Sequence, residues 1–215
     1  MKLYLHQHLD NHDQKYEYIH YLLLLFFLIL FSSILHCQTK QDKFAVAYFG
    51  SGCFWCVEAI FESVKGIEYA QSGYSGGKVK NPSYNQICTG TTGHAETVKV
   101  VYDPKLISYD DLLRVFFNSH DPTTLNQQGP DKGTQYRSVI FYATNEEKEK
   151  AKAYIQKLLA NKKFKSISTE CVAFEKFYKA EDYHQNFERD NPDNPYVISV
   201  SKPRLNAFKK KHLNK

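Results

Sequence analysis

The chain of 215 residues carries a net charge of +5, and 42% of its residues are apolar. This length suits one domain with an additional segment and is too short for two domains of ordinary size. The share of apolar residues excludes a disordered chain. Much of the positive charge lies in a basic C-terminal tail, which we place at residues 199–215. Arginine and aromatic residues do not alternate there, so we expect a solvated, frayed tail and no nucleic-acid partner.

The N-terminal segment contains an uncharged apolar stretch, YLLLLFFLILFSSIL, at residues 21–35. A full membrane span needs about 20 apolar residues, so this stretch fits the apolar region of a signal peptide better. We predict a signal peptide or an N-terminal membrane anchor at residues 1–37 and a linker at 38–43, with cleavage near Cys37 or retention left open. The protein is then exported, to the periplasm or the cell envelope, rather than cytoplasmic. The alternative is a buried helix of the fold, for which the sequence offers no evident packing partner.

The folded domain is predicted over residues 44–198, beginning with a buried strand at 44–49 that a Gly-Ser-Gly turn ends. A helix with apolar residues at helical spacing follows and closes at Gly66. Ser108 and Thr144, each followed three residues later by an acidic residue, are predicted to cap two further helices. Additional strands are predicted at residues 67–74, 97–102, 139–142 and 167–174, and a last short helix at 181–188.

Two of these strands follow one another without a long helix between them. We therefore predict an α+β fold, a two-layer sandwich of a mixed sheet packed with helices and with a ferredoxin-like core, rather than a strictly parallel sheet. Long loops at residues 73–93 and 120–136 are rich in Gly, Asn, Gln, Tyr and His. Loops of that length in a compact domain are often functional, so we expect them to border the active site.

The five cysteines are an odd number, which indicates at least one chemically active thiol rather than a disulfide scaffold. Cys53 stands where the first strand ends and the helix begins, so the helix terminus is expected to favour its thiolate. Cys56 lies one helical turn further and can form a disulfide with an oxidised Cys53; the alternative for Cys56 is a small core cysteine. No second C-x-x-C motif accompanies the pair, so a zinc site is not expected.

The segment GCFWCVEAIF at residues 52–61 resembles the active-site segment of the type A peptide methionine sulfoxide reductases. Further segments resemble the same family in its order and approximate spacing, over nearly the whole predicted domain. They are GYSGG (73–77), NPSY (81–84), TGHAETV (92–98), VYDP (101–104), HDPT (120–123), DKGTQYRS (131–138) and AEDYHQ (180–185).

The resemblance implies the reduction of methionine S-sulfoxide, free and in oxidised proteins, to methionine, as a repair of oxidative damage. The position of Cys53 is the nucleophile in the family, and that of Glu96 is the acid that protonates the sulfoxide oxygen. Such an acid must stay protonated near neutral pH, which requires burial. The positions of Tyr84 and Tyr136 hydrogen-bond to the same oxygen, and that of Asp131 is a further polar site position.

Phe54 and Trp55 match the aromatic wall around the substrate methyl group. The first product would be a sulfenic acid on the nucleophile, which a second thiol has to resolve. Many relatives carry that thiol in a glycine-rich C-terminal tail, but no cysteine follows Cys171 here. We therefore predict Cys56 as the resolving thiol, with Cys88 as the second choice, and thioredoxin or another dithiol as the reductant.

Two other functions stay open at this point. A C-x-x-C motif that opens a helix after a strand is also typical of a general, thioredoxin-like thiol–disulfide oxidoreductase. A non-catalytic peptide-binding module at the cell envelope would use Trp55 and the tyrosines as its recognition surface. We expect a monomer without a bound cofactor or metal, in which His94, His120 and His184 shape the loops by hydrogen bonding.

Overall fold

The computed structural model describes residues 43–213 and Phe26. The predicted leader at residues 1–37 and the linker at 38–43 lie outside the described residues apart from Phe26 and Lys43, and Cys37 lies outside them too. The described residues from Lys43 onward belong to one compact unit. Within the described residues, no helix is both long and apolar enough to span a lipid bilayer.

The strands of the described chain form one large mixed sheet and one small hairpin. In chain order they are β1 (Ala45–Ser51), β2 (Ile67–Ser75), β3 (Ala95–Tyr102), β4 (Gln127–Gln128), β5 (Asp131–Lys132), β6 (Ser138–Tyr142), β7 (Glu170–Ala173) and β8 (Phe177–Lys179). The large sheet has the order β7-β6-β1-β3-β2-β8, and β4 pairs with β5 alone. Only the pair β6 and β7 is parallel among these described strands.

The α-helices are α1 (Phe54–Glu62), α2 (Tyr84–Cys88), α3 (Tyr109–Ser119), α4 (Asn145–Ala160), α5 (Phe187–Asp190) and α6 (Lys202–Leu213). Short 3₁₀ turns lie at Thr134–Tyr136 and Asp182–His184, and a π-turn at Val197–Ser201 leads into α6. The predicted caps are confirmed: Ser108 forms a capping box with Asp111 before α3, and Thr144 accepts a hydrogen bond from the Glu147 N–H before α4. Helix α2 lies inside the predicted loop at residues 73–93.

The centre of the sheet has the ferredoxin-like arrangement. Strands β1 and β2 flank β3 with helix α1 connecting them, and β3 and β6 flank β1 with helix α3 connecting them. These are two interlocked split β-α-β units, which require each central pair to be antiparallel, as it is. The predicted α+β class with a ferredoxin-like core is confirmed.

The core is built where helices α1 and α3 cover the middle of the sheet. Phe49 of β1 is fully buried, and its ring centroid lies 5.2 Å from that of Phe61 on α1 and 5.2 Å from that of Phe116 on α3. Aromatic pairs at such distances add to the stabilisation from buried area. This cluster fixes α1 on the sheet, and so fixes where the first residue of α1 meets the end of β1.

The prediction of a solvated, frayed tail from residue 199 is wrong for the described residues up to 213. Helix α6 packs on the domain, and Phe208 is only 2% exposed. The π-turn before it buries Val197 and Ser201 completely. Lys209 and Lys210 are exposed to solvent and dominate the charge of the segment. This charge gave no sign that a few other residues of the helix face the domain.

Two smaller predictions also change. The last predicted strand, residues 167–174, is shortened to β7, in which Cys171 is half-buried against the core rather than inside it. The helix predicted at residues 181–188 is divided into a 3₁₀ turn and α5. Asn186 stands between them with a left-handed φ of +54°, a conformation that interrupts a helix. Its N–H donates to Glu58 Oε2 at 3.1 Å, which accounts for the interruption.

Candidate active site

Cys53 occupies the N-cap position of α1, directly after β1 and the turn that follows it. The turn needs glycine at position 52, where φ is +89° and an added Cβ would lie 2.6 Å from the Gln128 side chain. Cys53 is only 6% exposed, and the likewise buried thiol of Cys56 lies one turn along the helix, close enough to affect the pKa of Cys53. The strand, the turn and the helix thus place two thiols side by side, as the sequence predicts.

Glu96 lies in β3, the neighbour of β1, and is only 2% exposed. Its Oε2 accepts a hydrogen bond of 2.9 Å from the N–H of Phe54, the residue that follows Cys53. Burial raises the pKa of the Glu96 carboxyl to about 8, and the charge of Asp131 acts in the same direction. Glu96 therefore carries its proton at neutral pH, which is the state that its predicted role requires.

Tyr84 and Tyr136 come from the two long loops and converge on the same carboxyl. Tyr84 opens helix α2, where its N–H donates to Glu181 Oε1 at 2.8 Å, and Tyr136 ends the 3₁₀ turn at Thr134–Tyr136. Both phenols are half-buried, and burial followed by the charge of Glu96 raises the pKa of each. Their hydroxyls therefore remain protonated donors near Glu96, where a sulfoxide oxygen would need them.

Asp131 contacts the site through a residue that the sequence analysis missed. Its carboxylate accepts a hydrogen bond of 2.6 Å from the hydroxyl of Tyr196, which lies 3.9 Å from the sulfur of Cys56. Burial raises the pKa of Asp131, although the hydrogen bond from Tyr196 opposes this. Tyr196 lies beyond the last recognised segment, in NPDNPYV, and only its aromatic character in an Asn- and Pro-rich stretch could have indicated it.

The two thiols differ in acidity in a way that corrects one expectation. Burial raises the pKa of Cys53 well above its usual value, and the hydrogen bond with Cys56 and the charge of Glu96 add to this effect. The hydrogen bond from Cys53 lowers the pKa of Cys56 to about 6 against the effect of burial. The expectation that Cys53 ionises more readily than a free thiol is wrong for the resting protein, because burial outweighs the effect of the helix terminus on its pKa.

The two aromatic residues after Cys53 are both held by ring contacts but differ in how far they are buried. Phe54 is 1% exposed, and its ring lies 5.8 Å from that of Tyr74 and 4.9 Å from that of His184. Trp55 is half-buried, stacks on Phe187 with ring centroids 3.7 Å apart, and donates its indole N–H to His184 Nδ1 at 3.1 Å. Phe54 is thus packed inside the domain, whereas Trp55 keeps part of its ring exposed.

The histidines have the hydrogen-bonding roles predicted for them. His94 Nδ1 accepts from the Gly77 N–H at 3.0 Å, and the two ring nitrogens of His120 each lie 2.7 Å from an oxygen, one of Phe116 and one of Ser138. Cys88, the second candidate for the resolving thiol, is exposed at the end of α2, the helix that Tyr84 opens. It borders the site on the tyrosine side.

Two adjacent thiols beside a protonated carboxyl, on a ferredoxin-like sheet, are the site of a thiol-based oxidoreductase. The family model described as "Peptide methionine sulfoxide reductase" matches residues 45–215. The chain belongs to the peptide methionine sulfoxide reductase family. This membership decides against the general thiol–disulfide oxidoreductase and the non-catalytic module that the sequence left open.

Named relatives and solved structures agree with this assignment. A peptide methionine sulfoxide reductase MsrA of Sulfolobus acidocaldarius is 50% identical over 165 residues, which cover 77% of this chain and 93% of the relative. One of Leptospira borgpetersenii is also 50% identical over 165 residues, with 76% and 93% covered. The crystal structure of Mxr1 from Saccharomyces cerevisiae in reduced form has a TM-score of 0.68 and 33% identity, covering 72% of this chain and 90% of that one.

Proposed function

We propose that this protein reduces methionine S-sulfoxide, free and in oxidised proteins, and so repairs oxidative damage, with Cys53 as the nucleophile. Membership of the family supports sulfoxide reduction by a thiol mechanism. The observation that supports the assignment of the site most directly is Glu96, a buried carboxyl with a pKa of about 8 that hydrogen-bonds to the residue after Cys53.

The first step transfers the oxygen from the substrate to Cys53. Glu96 protonates the sulfoxide oxygen, and Tyr84 and Tyr136 donate hydrogen bonds to it. The Cys53 thiol gives up its proton to the Glu96 carboxylate that this protonation leaves behind, even though burial raises the pKa of that thiol. The Cys53 sulfur attacks the electron-poor sulfoxide sulfur and an S–S bond forms. The hydroxyl group then moves from the substrate sulfur to the Cys53 sulfur as that S–S bond breaks, so that methionine leaves and Cys53 becomes a sulfenic acid. Trp55 is the wall against which the substrate methyl group would pack.

The second step removes the oxygen from the protein. The thiolate of Cys56 attacks the sulfur of the Cys53 sulfenic acid, an S–S bond forms, and hydroxide leaves and is protonated to water. A thioredoxin-like dithiol then reduces the disulfide by exchange and is itself oxidised. The adjacent thiols of Cys53 and Cys56 support the first half of this proposal. Yeast Mxr1, a structural relative, has been crystallised with Trx2, which supports a donor of that class.

The experiment uses the separated S and R epimers of methionine sulfoxide with the reduced protein and a thioredoxin system. We expect turnover of the S epimer alone, abolished by Cys53→Ser and retained in the matched variant Cys171→Ser, whose thiol is half-buried on β7. Turnover of only the R epimer, or full activity in Cys53→Ser, would contradict the proposal.

We also propose that the protein is a monomer exported through its N-terminal segment, which acts as a signal peptide or as a membrane anchor. The uncharged apolar residues 21–35 support this, since their length and composition suit an export signal. Fractionation of cells that express the full chain, with N-terminal sequencing of the product, tests it. A full-length protein recovered entirely from the cytoplasm would overturn it, and sedimentation analysis measures the oligomeric state.

A further inference from the structure

The C-terminal segment surrounds Cys56 although it contains no cysteine. Tyr196, Ser201 and Arg204 follow one another across the π-turn and the first turn of α6. The Tyr196 hydroxyl lies 3.9 Å from the Cys56 sulfur, and the fully buried Ser201 hydroxyl donates its hydrogen bond to the Glu188 carboxylate. The segment therefore brings the hydroxyl of Tyr196 next to the second thiol of the site.

Arg204 is fixed in place by main-chain oxygens rather than by a carboxylate. Its Nε donates to the Ser119 carbonyl at 2.9 Å, and its Nη2 donates to the Ser51 carbonyl at 2.8 Å. In the described part of the chain, no carboxylate forms an ion pair with this guanidinium. Carbonyl oxygens hold a guanidinium without neutralising it, so its charge acts on the groups nearby, which include Cys56 and Asp131.

The titratable groups around Cys56 differ in how long they act during a catalytic cycle. The Cys53 thiol, which has the largest influence, is consumed when it is oxidised in the first step. Glu96 and Tyr196 are neutral at the pH of reaction, since burial raises the pKa of both. The positive charge of Arg204 is the contribution that persists when the sulfenic acid has formed and the second thiol must attack.

We propose that Arg204, held against the Ser51 carbonyl two residues before Cys53, is a positioning residue for the resolving step, which stabilises the Cys56 thiolate beside the oxidised Cys53. The inference rests on the proposed function, because it concerns the step in which Cys56 displaces hydroxide from the Cys53 sulfenic acid. The C-terminal segment has no cysteine, and its contribution to this step is the charge that makes an internal thiol competent.

The test follows a single turnover of the reduced full chain with one equivalent of methionine S-sulfoxide. Methionine release reports the first step, and quenching with a thiol-alkylating reagent followed by mass spectrometry reports disulfide formation. Both rates are measured across the pH range for the wild type, Arg204→Gln, Arg204→Lys and the charge control Lys210→Gln. Lys210 is an exposed residue of the same helix, so its loss changes the net charge by the same amount.

We expect the pH midpoint of disulfide formation to rise by about one unit in Arg204→Gln, with about tenfold slower formation at pH values below the midpoint. Arg204→Lys should restore most of the wild-type midpoint, and Lys210→Gln should leave it unchanged. A purely structural role for Arg204, in holding the turn before Cys53, would alter rates without moving this midpoint. An unchanged midpoint in Arg204→Gln would overturn the proposal.

Two further measurements keep the test decisive. If Arg204→Gln does not fold, Arg204→Met, which keeps the length of the side chain without its charge, should still raise the midpoint, and an unchanged midpoint would count against the proposal. Thiolate absorbance of the reduced protein against pH compares Arg204→Gln with Lys210→Gln without any substrate. If no variant releases methionine, the proposed function fails, while a shifted thiolate titration in Arg204→Gln alone would still support the electrostatic claim.

Discussion

The strongest test of the site is Glu96→Gln, because the buried carboxyl links the chemistry to the stability of the fold. Glutamine keeps an oxygen that can accept the hydrogen bond from the Phe54 N–H, but it cannot ionise and is no acid at any accessible pH. General acids contribute about 10²–10⁴-fold to such reactions, so we expect methionine release to slow by about that factor while the substrate still binds.

The same substitution should change how the free energy of unfolding depends on pH. In the folded protein the pKa of Glu96 is about 8, raised by burial from its ordinary value of 4.5. Between those values the folded state holds a proton that the unfolded state has lost, so wild-type stability falls as the pH rises. The slope is about 1.4 kcal/mol per pH unit, and the stability of Glu96→Gln relative to the wild type should rise by about 2.7 kcal/mol from pH 5.5 to 7.5.

Urea unfolding at those two pH values measures this difference, with the fluorescence of Trp55, the only tryptophan of the chain, as the probe. Glu58, whose pKa burial raises to about 7, titrates in both proteins and cancels from the comparison. A stability difference that does not change with pH would mean that Glu96 ionises normally in the folded protein. The carboxyl could then not act as the acid at neutral pH, and the proposed role of Glu96 would be refuted.

Three further predictions follow from the geometry. With a thioredoxin system, Cys56→Ser should release one equivalent of methionine and then stall. Sustained methionine release would assign the resolving role to Cys88, and the double variant Cys56→Ser/Cys88→Ser would check this. Phe208→Ala should lower the free energy of unfolding by about 3–5 kcal/mol in urea titrations, against almost no change for the exposed Ile198→Ala. In single turnovers, methionine release should fall as the pH rises through about 8, where Glu96 loses its proton. Disulfide formation should instead rise with pH, because it requires the Cys56 thiolate; coincident profiles would disprove this assignment.

Much of the fold could be predicted because its signals are local. Ser108 with Asp111, and Thr144 with Glu147, mark the starts of two helices by side-chain chemistry within three residues. The sequence from β1 through the Gly-Ser-Gly turn to Cys53 likewise predicts a strand, a turn and the start of a helix. The α+β class was predicted from the succession of β2 and β3 without a long helix between them, which leaves few topologies.

The remaining features depend on contacts between distant segments. Helix α6 places few apolar side chains on the domain, and its lysines dominate the composition, so periodicity could not reveal that it docks. Tyr196 and Arg204 act on residues more than a hundred positions earlier in the chain. The acidity of Cys53 could not be predicted either, because it depends first on burial by the folded chain and then on the neighbouring Cys56 and Glu96, of which Glu96 lies on another strand.

The two chemical steps require opposite protonation states of groups that lie close together. The structure meets the two requirements at different residues. Oxygen transfer needs a neutral site in which Glu96 keeps its proton, and burial provides this by raising the pKa of both Glu96 and Cys53. Resolution needs an anion one helical turn away, which burial alone would suppress. A fixed cation placed beside Cys56 rather than beside Glu96 reconciles these demands, because a guanidinium in contact with Glu96 would lower its pKa and remove the acid. Arg204 meets that condition: its charge lowers the pKa of Cys56, whereas the charges that act on Glu96 are those of Asp131 and Cys56.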